Sequence, residues 1–180
     1  MFRRMFRKTL FIVVLSSALY AADVPGVWLD VPFVRQEKDG CGAASIAMVM
    51  QYWQHQRSEP ASPDADAIQI QHLLYSTKAR GIYASDMERY FRDKGFRTFT
   101  IRGEWEDLKQ HLDKGRPLIV ALRPEGRSVP LHYVVMTGLD QQVVMVNDPA
   151  QRKLLKQDRS SFERQWSAAD RWTLLALPQI

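Results

Sequence analysis

The sequence is poor in the residues that build disulfides and metal sites. It contains one cysteine, Cys41, and four histidines in 180 residues. A single cysteine cannot form a disulfide within its own chain, so this thiol is either buried and inert or reactive. Neither a His-Glu-x-x-His motif nor a Cys-x-x-Cys pair is present. We therefore expect no metal and no organic cofactor.

Other sequence signals of function are also missing. The chain has no internal repeat, no low-complexity tract and no glycine-rich phosphate loop that ends in Lys-Ser or Lys-Thr. Such patterns are typical of repeat proteins and of nucleotide-binding enzymes. No pair of carboxylates stands out as the catalytic pair of a glycosidase. The sequence thus gives no support to these classes of protein.

Most of the excess positive charge lies at the N-terminus. The chain has 25 Lys and Arg residues against 20 Asp and Glu residues, a net charge of +5. Residues 1–22 contain four of the basic residues and none of the acidic ones, so the remaining chain has a net charge of +1. A chain with so little net charge is not expected to bind nucleic acid through a basic surface.

Residues 1–22 have the pattern of a secretory signal peptide. Basic residues precede the apolar run Leu10 to Leu15, and small residues follow as far as Ala22. This run is shorter than the roughly 20 residues of a membrane-spanning helix, which favours a cleaved signal over an uncleaved anchor. We expect an exported protein, periplasmic or secreted, with one domain over residues 23–180 that meets the membrane only through its signal.

The position of Cys41 indicates a reactive thiol. It lies between Gly40 and Gly42, at the start of an apolar run that extends to Trp53. An inert cysteine is expected inside such a run, not at its glycine-flanked beginning. If the run is a helix, its N-terminus provides about half a positive charge, which stabilises a thiolate. Cys41 is therefore the candidate nucleophile.

A cysteine nucleophile needs a base, a group that orients the base, and donors to an oxyanion. The candidate base is His132, because it begins an apolar strand, whereas the other three histidines lie among polar residues on predicted helices. An antiparallel hairpin turned at residues 140–142 would return the next strand end to His132, where Asp148 could accept the imidazole N–H. Asn147 is an alternative partner. Gln36, five positions before Cys41, is the candidate oxyanion donor.

The pattern of apolar residues predicts helices first and then a mostly antiparallel sheet, an α+β layout. Predicted helices cover residues 42–54, 66–76, 85–94 with Ser85 as N-cap, 105–113, and a short segment to Trp166 capped by Ser160 or Ser161. Predicted strands cover residues 28–34, 97–101, 118–122, 132–137, 143–146 and 172–177.

Over residues 29–177, the chain resembles the papain-like cysteine peptidases of the bacteriocin-processing type, family thirty-nine of the cysteine class. The matching segments are Gln36 with Gly40-Cys41-Gly42, His132-Tyr-Val-Val-Met-Thr-Gly138, Val146-Asn-Asp-Pro149, and Phe162 with Trp166. The resemblance implies a papain-like fold, with a helical lobe packed against a sheet. It also implies Cys41 as nucleophile, His132 as base, Asp148 as orienting acid and Gln36 as oxyanion donor.

Members of that family cleave peptide bonds, often just after a Gly-Gly pair in a leader peptide. We therefore predict an exported bacterial cysteine peptidase that hydrolyses a peptide or protein substrate, as a leader or processing peptidase. Two alternatives stay open at this stage. One is a transpeptidase, in which an amine replaces water, and the other is a non-catalytic module that holds a peptide in a papain-like cleft.

Overall fold

The computed structural model of the protein describes residues 26–124 and 129–179, and the predicted export signal lies outside them. Its helices are α1 (Cys41–Gln56), α2 (Ala67–Leu74), α3 (Ala84–Asp93), α4 (Trp105–Asp113) and α5 (Arg159–Ser167), with a short 3-10 helix at Pro63–Ala65. Its strands are β1 (Val27–Trp28), β2 (Phe96–Arg102), β3 (Leu118–Leu122), β4 (His132–Leu139), β5 (Val143–Asn147), β6 (Leu155–Asp158) and β7 (Trp172–Pro178).

The strands form one sheet in the order β2-β7-β3-β4-β5-β6, and β1 pairs with β4. All of these pairings are antiparallel. The first three helices precede most of the sheet in sequence, as the apolar pattern indicated. The predicted α+β class, with helices packed against an antiparallel sheet, is therefore confirmed.

Helices cover both faces of the central strands. In β3 and β4, alternate side chains point to opposite faces, so these two strands are apolar along most of their length. One face packs against α1 through Ile119, Ala121, Tyr133 and Val135. The opposite face packs against α4 and α5 through Leu118, Val120, Val134 and Met136. This two-sided burial fixes the position of β4, which begins at the candidate base.

Helix α1 is the central buried helix that the sequence predicted. Every residue at positions 42–50 is buried, as expected for a helix that is apolar around its whole circumference. It contacts β3 and β4 on one side and the smaller helices on the other. Because α1 is held on several sides, the residue at its N-terminus has a well-defined position.

Several predicted boundaries were wrong. The strand expected at residues 28–34 is limited to Val27–Trp28. Ser85 lies inside α3, because Tyr83 already has the extended backbone of the N-cap. Likewise Asp158, and not Ser160 or Ser161, precedes α5. In both helices the N-cap makes no side-chain hydrogen bond, so no capping residue marks it in the sequence.

Strand β6 was not predicted at all. Its sequence, Leu-Lys-Gln-Asp, contains no β-branched or aromatic residue, so it lacks the composition that usually identifies a strand. It forms because it pairs with β5 at the edge of the sheet. Among the described helices, none combines the length and the apolar content needed to cross a bilayer.

Candidate active site

Cys41 is the first residue of α1, and Gly40 is the N-cap. The thiol belongs to a partly exposed residue and forms no disulfide. No acidic side chain lies in the first turn of the helix, so the positive end of the helix dipole is not offset by the helix's own residues. The sulfur therefore lies beside the first backbone N–H groups of α1, which have no partner within the helix.

The glycines beside Cys41 lie close to side chains of neighbouring segments. A Cβ atom on Gly40 would lie 2.5 Å from Oε1 of Gln71, and one on Gly42 would lie 3.2 Å from Cβ of Ile82. A side chain at position 40 would displace the flexible end of Gln71, and one at position 42 would be tight against Ile82. The two glycines therefore let α2 and the segment before α3 pack around the start of α1.

His132 and Asp148 form a direct pair. Nε2 of His132 lies 2.8 Å from Oδ1 of Asp148, which leaves Nδ1 for another partner. Cys41 is within hydrogen-bonding reach of the His132 side chain. The structure thus brings together Cys41 from the start of α1, His132 from the start of β4, and Asp148 from the loop after β5.

This arrangement changes the charge of the imidazole. Burial lowers the pKa of His132, but the hydrogen bonds to Asp148 and to Cys41, with the negative charges of both groups, raise it to about 9. The ring is consequently protonated at neutral pH. Burial raises the pKa of Asp148, but its hydrogen bond to His132 and the charge of the ring outweigh this effect and lower the pKa overall.

Asp148 is held by a network that sequence reasoning missed in part. Its side chain is 3% exposed. Besides His132, Oδ1 accepts the backbone N–H of Ala150 at 2.9 Å, and Oδ2 accepts Nε2 of Gln151 at 2.6 Å. A signal for these donors was available, because an aspartate at the start of a turn commonly binds N–H groups two or three residues later. The network fixes the carboxylate that faces the imidazole.

Asn147, the alternative partner of His132, has a different place in the structure. Its Nδ2 donates to the backbone oxygens of Val31 and Pro32 at 3.0 and 3.3 Å. Its Oδ1 accepts the backbone N–H of Leu154 at 3.0 Å. The side chain is fully buried and links three segments of backbone. The contact with the imidazole is made by Asp148 instead.

Gln36 lies in the segment that leads from Pro32 to Cys41. Its backbone N–H donates to the carbonyl oxygen of Pro149 at 3.0 Å, which ties this segment to the loop that holds Asp148. Within the described part of the chain, Oε1 of Gln36 is shielded from solvent and has no hydrogen-bond partner. An unpaired buried amide oxygen is costly, so this atom calls for an explanation.

The remaining histidines lie elsewhere. His55 and His72 are exposed on α1 and α2. His111 is half-buried on α4, where burial and the nearby cations Arg116 and Lys114 lower its pKa. Among residues 26–124 and 129–179, no cluster of three or more His, Cys, Asp or Glu side chains has the arrangement of a metal site.

The sequence model of the Peptidase_C39 like family matches residues 28–173, a range that contains Cys41, His132 and Asp148. The chain belongs to the Peptidase_C39 like family. This finding confirms the predicted resemblance, and with it the prediction of a cysteine-type peptidase. The match extends from the strand β1 into the strand β7, so it includes every helix described above.

Two solved structures share the fold of this C39-like peptidase. One is a double glycine motif protease from an AMS/PCAT transporter in complex with the leader peptide, with a TM-score of 0.64, 25% identity, and coverage of 85% of this chain and 95% of that one. The other is the peptidase domain of Streptococcus ComA, a bi-functional ABC transporter, with a TM-score of 0.63, 21% identity, and coverage of 83% and 98%. The papain-like peptidase fold is thereby confirmed.

A curated relative is similar in sequence as well. The transport/processing ATP-binding protein ComA of Streptococcus pneumoniae strain R6 is 30% identical over 130 residues, which cover 71% of this C39-like chain. The match spans only 16% of the length of that relative. The similarity therefore concerns a peptidase unit and not the whole transport protein.

Proposed function

We propose that this C39-like peptidase cleaves peptide bonds with Cys41 as nucleophile, His132 as acid and base, and Asp148 as the group that orients His132. One observation supports this most directly. The imidazole of His132 lies between the carboxylate of Asp148, at 2.8 Å from Nε2, and the thiol of Cys41. This order of groups is the one a cysteine nucleophile requires.

The first chemical step is attack of the Cys41 sulfur on the substrate carbonyl carbon. The carbonyl oxygen then becomes an oxyanion, which needs preorganised donors. The first N–H groups of a helix have no partner within the helix, so the backbone N–H of Cys41 is one proposed donor. The side-chain amide of Gln36 is the second. The hydrogen bond from the backbone N–H of Gln36 to the carbonyl oxygen of Pro149 supports this role, because it ties the backbone of Gln36 to the residue after Asp148.

In the second step, the tetrahedral intermediate collapses and the C–N bond breaks. The protonated His132 donates its proton to the leaving amine, which departs as the first product. His132 is then neutral and removes a proton from water, which attacks the thioester. The C–S bond breaks, the acid product leaves, and the ion pair of Cys41 and His132 is restored.

We propose a peptide or protein as the substrate, with a leader or processing peptidase as the biological role. Two findings support this. The transporter protease that shares the fold was solved with a leader peptide, and the curated relative is a transport/processing protein. We also propose export to the periplasm or beyond, on the basis of residues 1–22. Cell fractionation with N-terminal sequencing of the recovered protein tests the export proposal.

The central test compares the purified protein with Cys41→Ala on peptide substrates. We expect cleavage to disappear while the protein remains folded, because the substitution removes one small side chain at a helix end. Unfolding of the variant would indicate a structural thiol.

A cysteine-directed electrophile should label the parent protein at neutral pH, and failure to label would favour a peptide-binding module. Amide products formed with an added amine would indicate transpeptidation.

A further inference from the structure

Gln151 ends the turn that follows β5 and closes it onto Asp148. The backbone N–H of Gln151 donates to the carbonyl oxygen of Asp148 at 3.0 Å. Pro149 has the second position of this turn, where its fixed φ is favourable. The backbone N–H of Asp148 in turn donates to the carbonyl oxygen of Arg152 at 3.1 Å. The first and the fourth residue of the turn are therefore held side by side.

The side chain of Gln151 returns to the carboxylate at the start of the turn. Oδ1 of Asp148 lies 2.8 Å from Nε2 of His132 and accepts the backbone N–H of Ala150 at 2.9 Å. Oδ2 accepts Nε2 of Gln151 at 2.6 Å, and within the described part of the chain this amide is its one donor. The carboxylate is buried, so loss of the amide would leave Oδ2 without a partner, which is costly.

A second segment of the chain holds Gln151 in place. Nη2 of Arg35 donates to the backbone carbonyl oxygen of Gln151 at 3.1 Å. The next residue, Gln36, donates its backbone N–H to the carbonyl oxygen of Pro149 at 3.0 Å. The segment before α1 thus contacts the turn at two of its residues. These contacts fix the backbone from which the side chain of Gln151 extends, although Gln151 itself is exposed.

The amide of Gln151 also affects the charge of Asp148. Burial raises the pKa of this carboxyl, whereas the hydrogen bond and the charge of His132 lower it. The hydrogen bonds from Ala150 and Gln151 lower the pKa further, because a donor to the charged form stabilises that form. Gln151 is therefore one of the groups that keep a buried carboxyl ionised.

The other charged groups near the turn are exposed cations. They are Arg35, Arg152 and Lys153. Arg35 donates to a backbone oxygen, and Lys153 pairs with Asp30 at 2.6 Å. Solvent and salt screen charges at such positions. The charge that acts on Asp148 in the described structure is that of His132 on β4.

We propose that Gln151 is a positioning residue for the reaction, which anchors Oδ2 of Asp148 so that Oδ1 stays aimed at Nε2 of His132. The inference rests on the proposed function, because Gln151 acts only through that pair. An exposed side chain with this role influences the orientation and the charge of Asp148 and not the packing of the core. Its replacement should therefore reduce activity in a protein that remains folded.

The test compares Gln151→Met with Gln151→Lys. Methionine keeps the length of the side chain and removes the donor, so kcat/KM on a peptide that the parent protein cleaves should fall about 10- to 100-fold, as for other residues that orient a functional side chain. Lysine carries a donor on a side chain of similar reach and should recover most of this loss. Carbon-13 NMR of the Asp148 carboxyl should show titration at higher pH in Gln151→Met than in the parent protein, and thermal unfolding checks that each variant is folded.

Gln141→Met is the matched control, because Gln141 is exposed in the turn between β4 and β5. It should leave kcat/KM and the titration of Asp148 unchanged. The positioning role is overturned, and the proposed function is left intact, by any of three results: full activity of Gln151→Met, a loss that Gln151→Lys does not recover, or an unshifted titration of Asp148 in Gln151→Met. Absence of both cleavage and iodoacetamide labelling of Cys41 in the parent protein overturns the proposed function itself.

Discussion

His132 and Asp148 are joined by a 2.8 Å contact between Nε2 and Oδ1, although 16 residues separate them in sequence. The contact depends on the hairpin of β4 and β5, which folds the end of β5 back toward the start of β4. The carboxylate fixes the plane of the imidazole and stabilises its charge. A charged ring is what the proposed mechanism requires, because there His132 donates a proton to the leaving amine.

Asp148→Asn is expected to reduce activity and to shift its pH dependence. His132 must be protonated to donate to the leaving amine, so activity of the parent enzyme should fall as pH rises through about 9. The substitution removes the charge that raises the pKa of His132, so the loss of activity should move to lower pH. Profiles of kcat/KM between about pH 6 and about pH 10 measure this shift.

Asp113→Asn is a suitable control for that experiment. Asp113 is exposed at the end of α4, where it pairs with Lys109, and α4 packs on the face of the sheet opposite α1. Asp113→Asn should lose activity at the same alkaline pH as the parent enzyme. If Asp148→Asn and the parent enzyme lose activity at the same pH, Asp148 does not set the charge of His132.

The same pair should make folding stability depend on pH. The pKa of His132 is higher in the folded protein than in the unfolded chain, so folding is favoured by proton binding. This contribution is complete below about pH 6.5 and is lost as pH rises through about 9. Chemical denaturation across this range should therefore show a decreasing free energy of unfolding, and His132→Gln should flatten that part of the curve.

Much of the site was predictable from sequence because it depends on short-range patterns. Cys41 marks the beginning of a strongly apolar helix, and His132 the beginning of a strongly apolar strand. Together with the turn at residues 140–142, these patterns are enough to bring the end of β5 near His132. The turn itself is stabilised by Asp140, whose Oδ1 accepts the backbone N–H groups of Gln142 and Val143, both at 2.7 Å.

These short-range patterns do not decide whether Asn147 or Asp148 contacts His132. The register of β4 against β5 shifts between Met136 and Gly138, so Thr137 is an extra residue in β4. A shift of one residue exchanges the neighbours of every later position in a hairpin. Such an irregularity depends on packing across the sheet, and its one sequence signal is a glycine inside the strand, Gly138.

Gln36→Ala is expected to lower kcat by about 10²- to 10³-fold, the usual effect of removing one oxyanion donor. Gln36→Glu should be at least as damaging, because a carboxylate repels the developing negative charge. Gln56→Ala, at the exposed end of α1, is the control. Steady-state kinetics measure kcat, and thermal unfolding checks that each variant is folded. A kcat of Gln36→Ala close to that of the parent enzyme would exclude Gln36 as an oxyanion donor.

Asn147→Ala should act on stability and not on the charge of His132. The side chain is completely buried, and its loss leaves the carbonyl oxygens of Val31 and Pro32 and the N–H of Leu154 without their partner. An unsatisfied buried polar group costs about 1–3 kcal/mol, so the free energy of unfolding should fall by at least this amount.

Asn147→Asp provides the contrasting substitution, because it retains the size of the side chain. It replaces the donating amide with an oxygen that faces two carbonyl oxygens, and the resulting repulsion should destabilise the protein at neutral pH. Denaturant titration measures both variants. Under conditions where each is folded, the alkaline loss of activity should stay at the pH of the parent enzyme. If Asn147→Ala loses activity at a different alkaline pH, Asn147 also influences the imidazole, and the orienting role is not confined to Asp148.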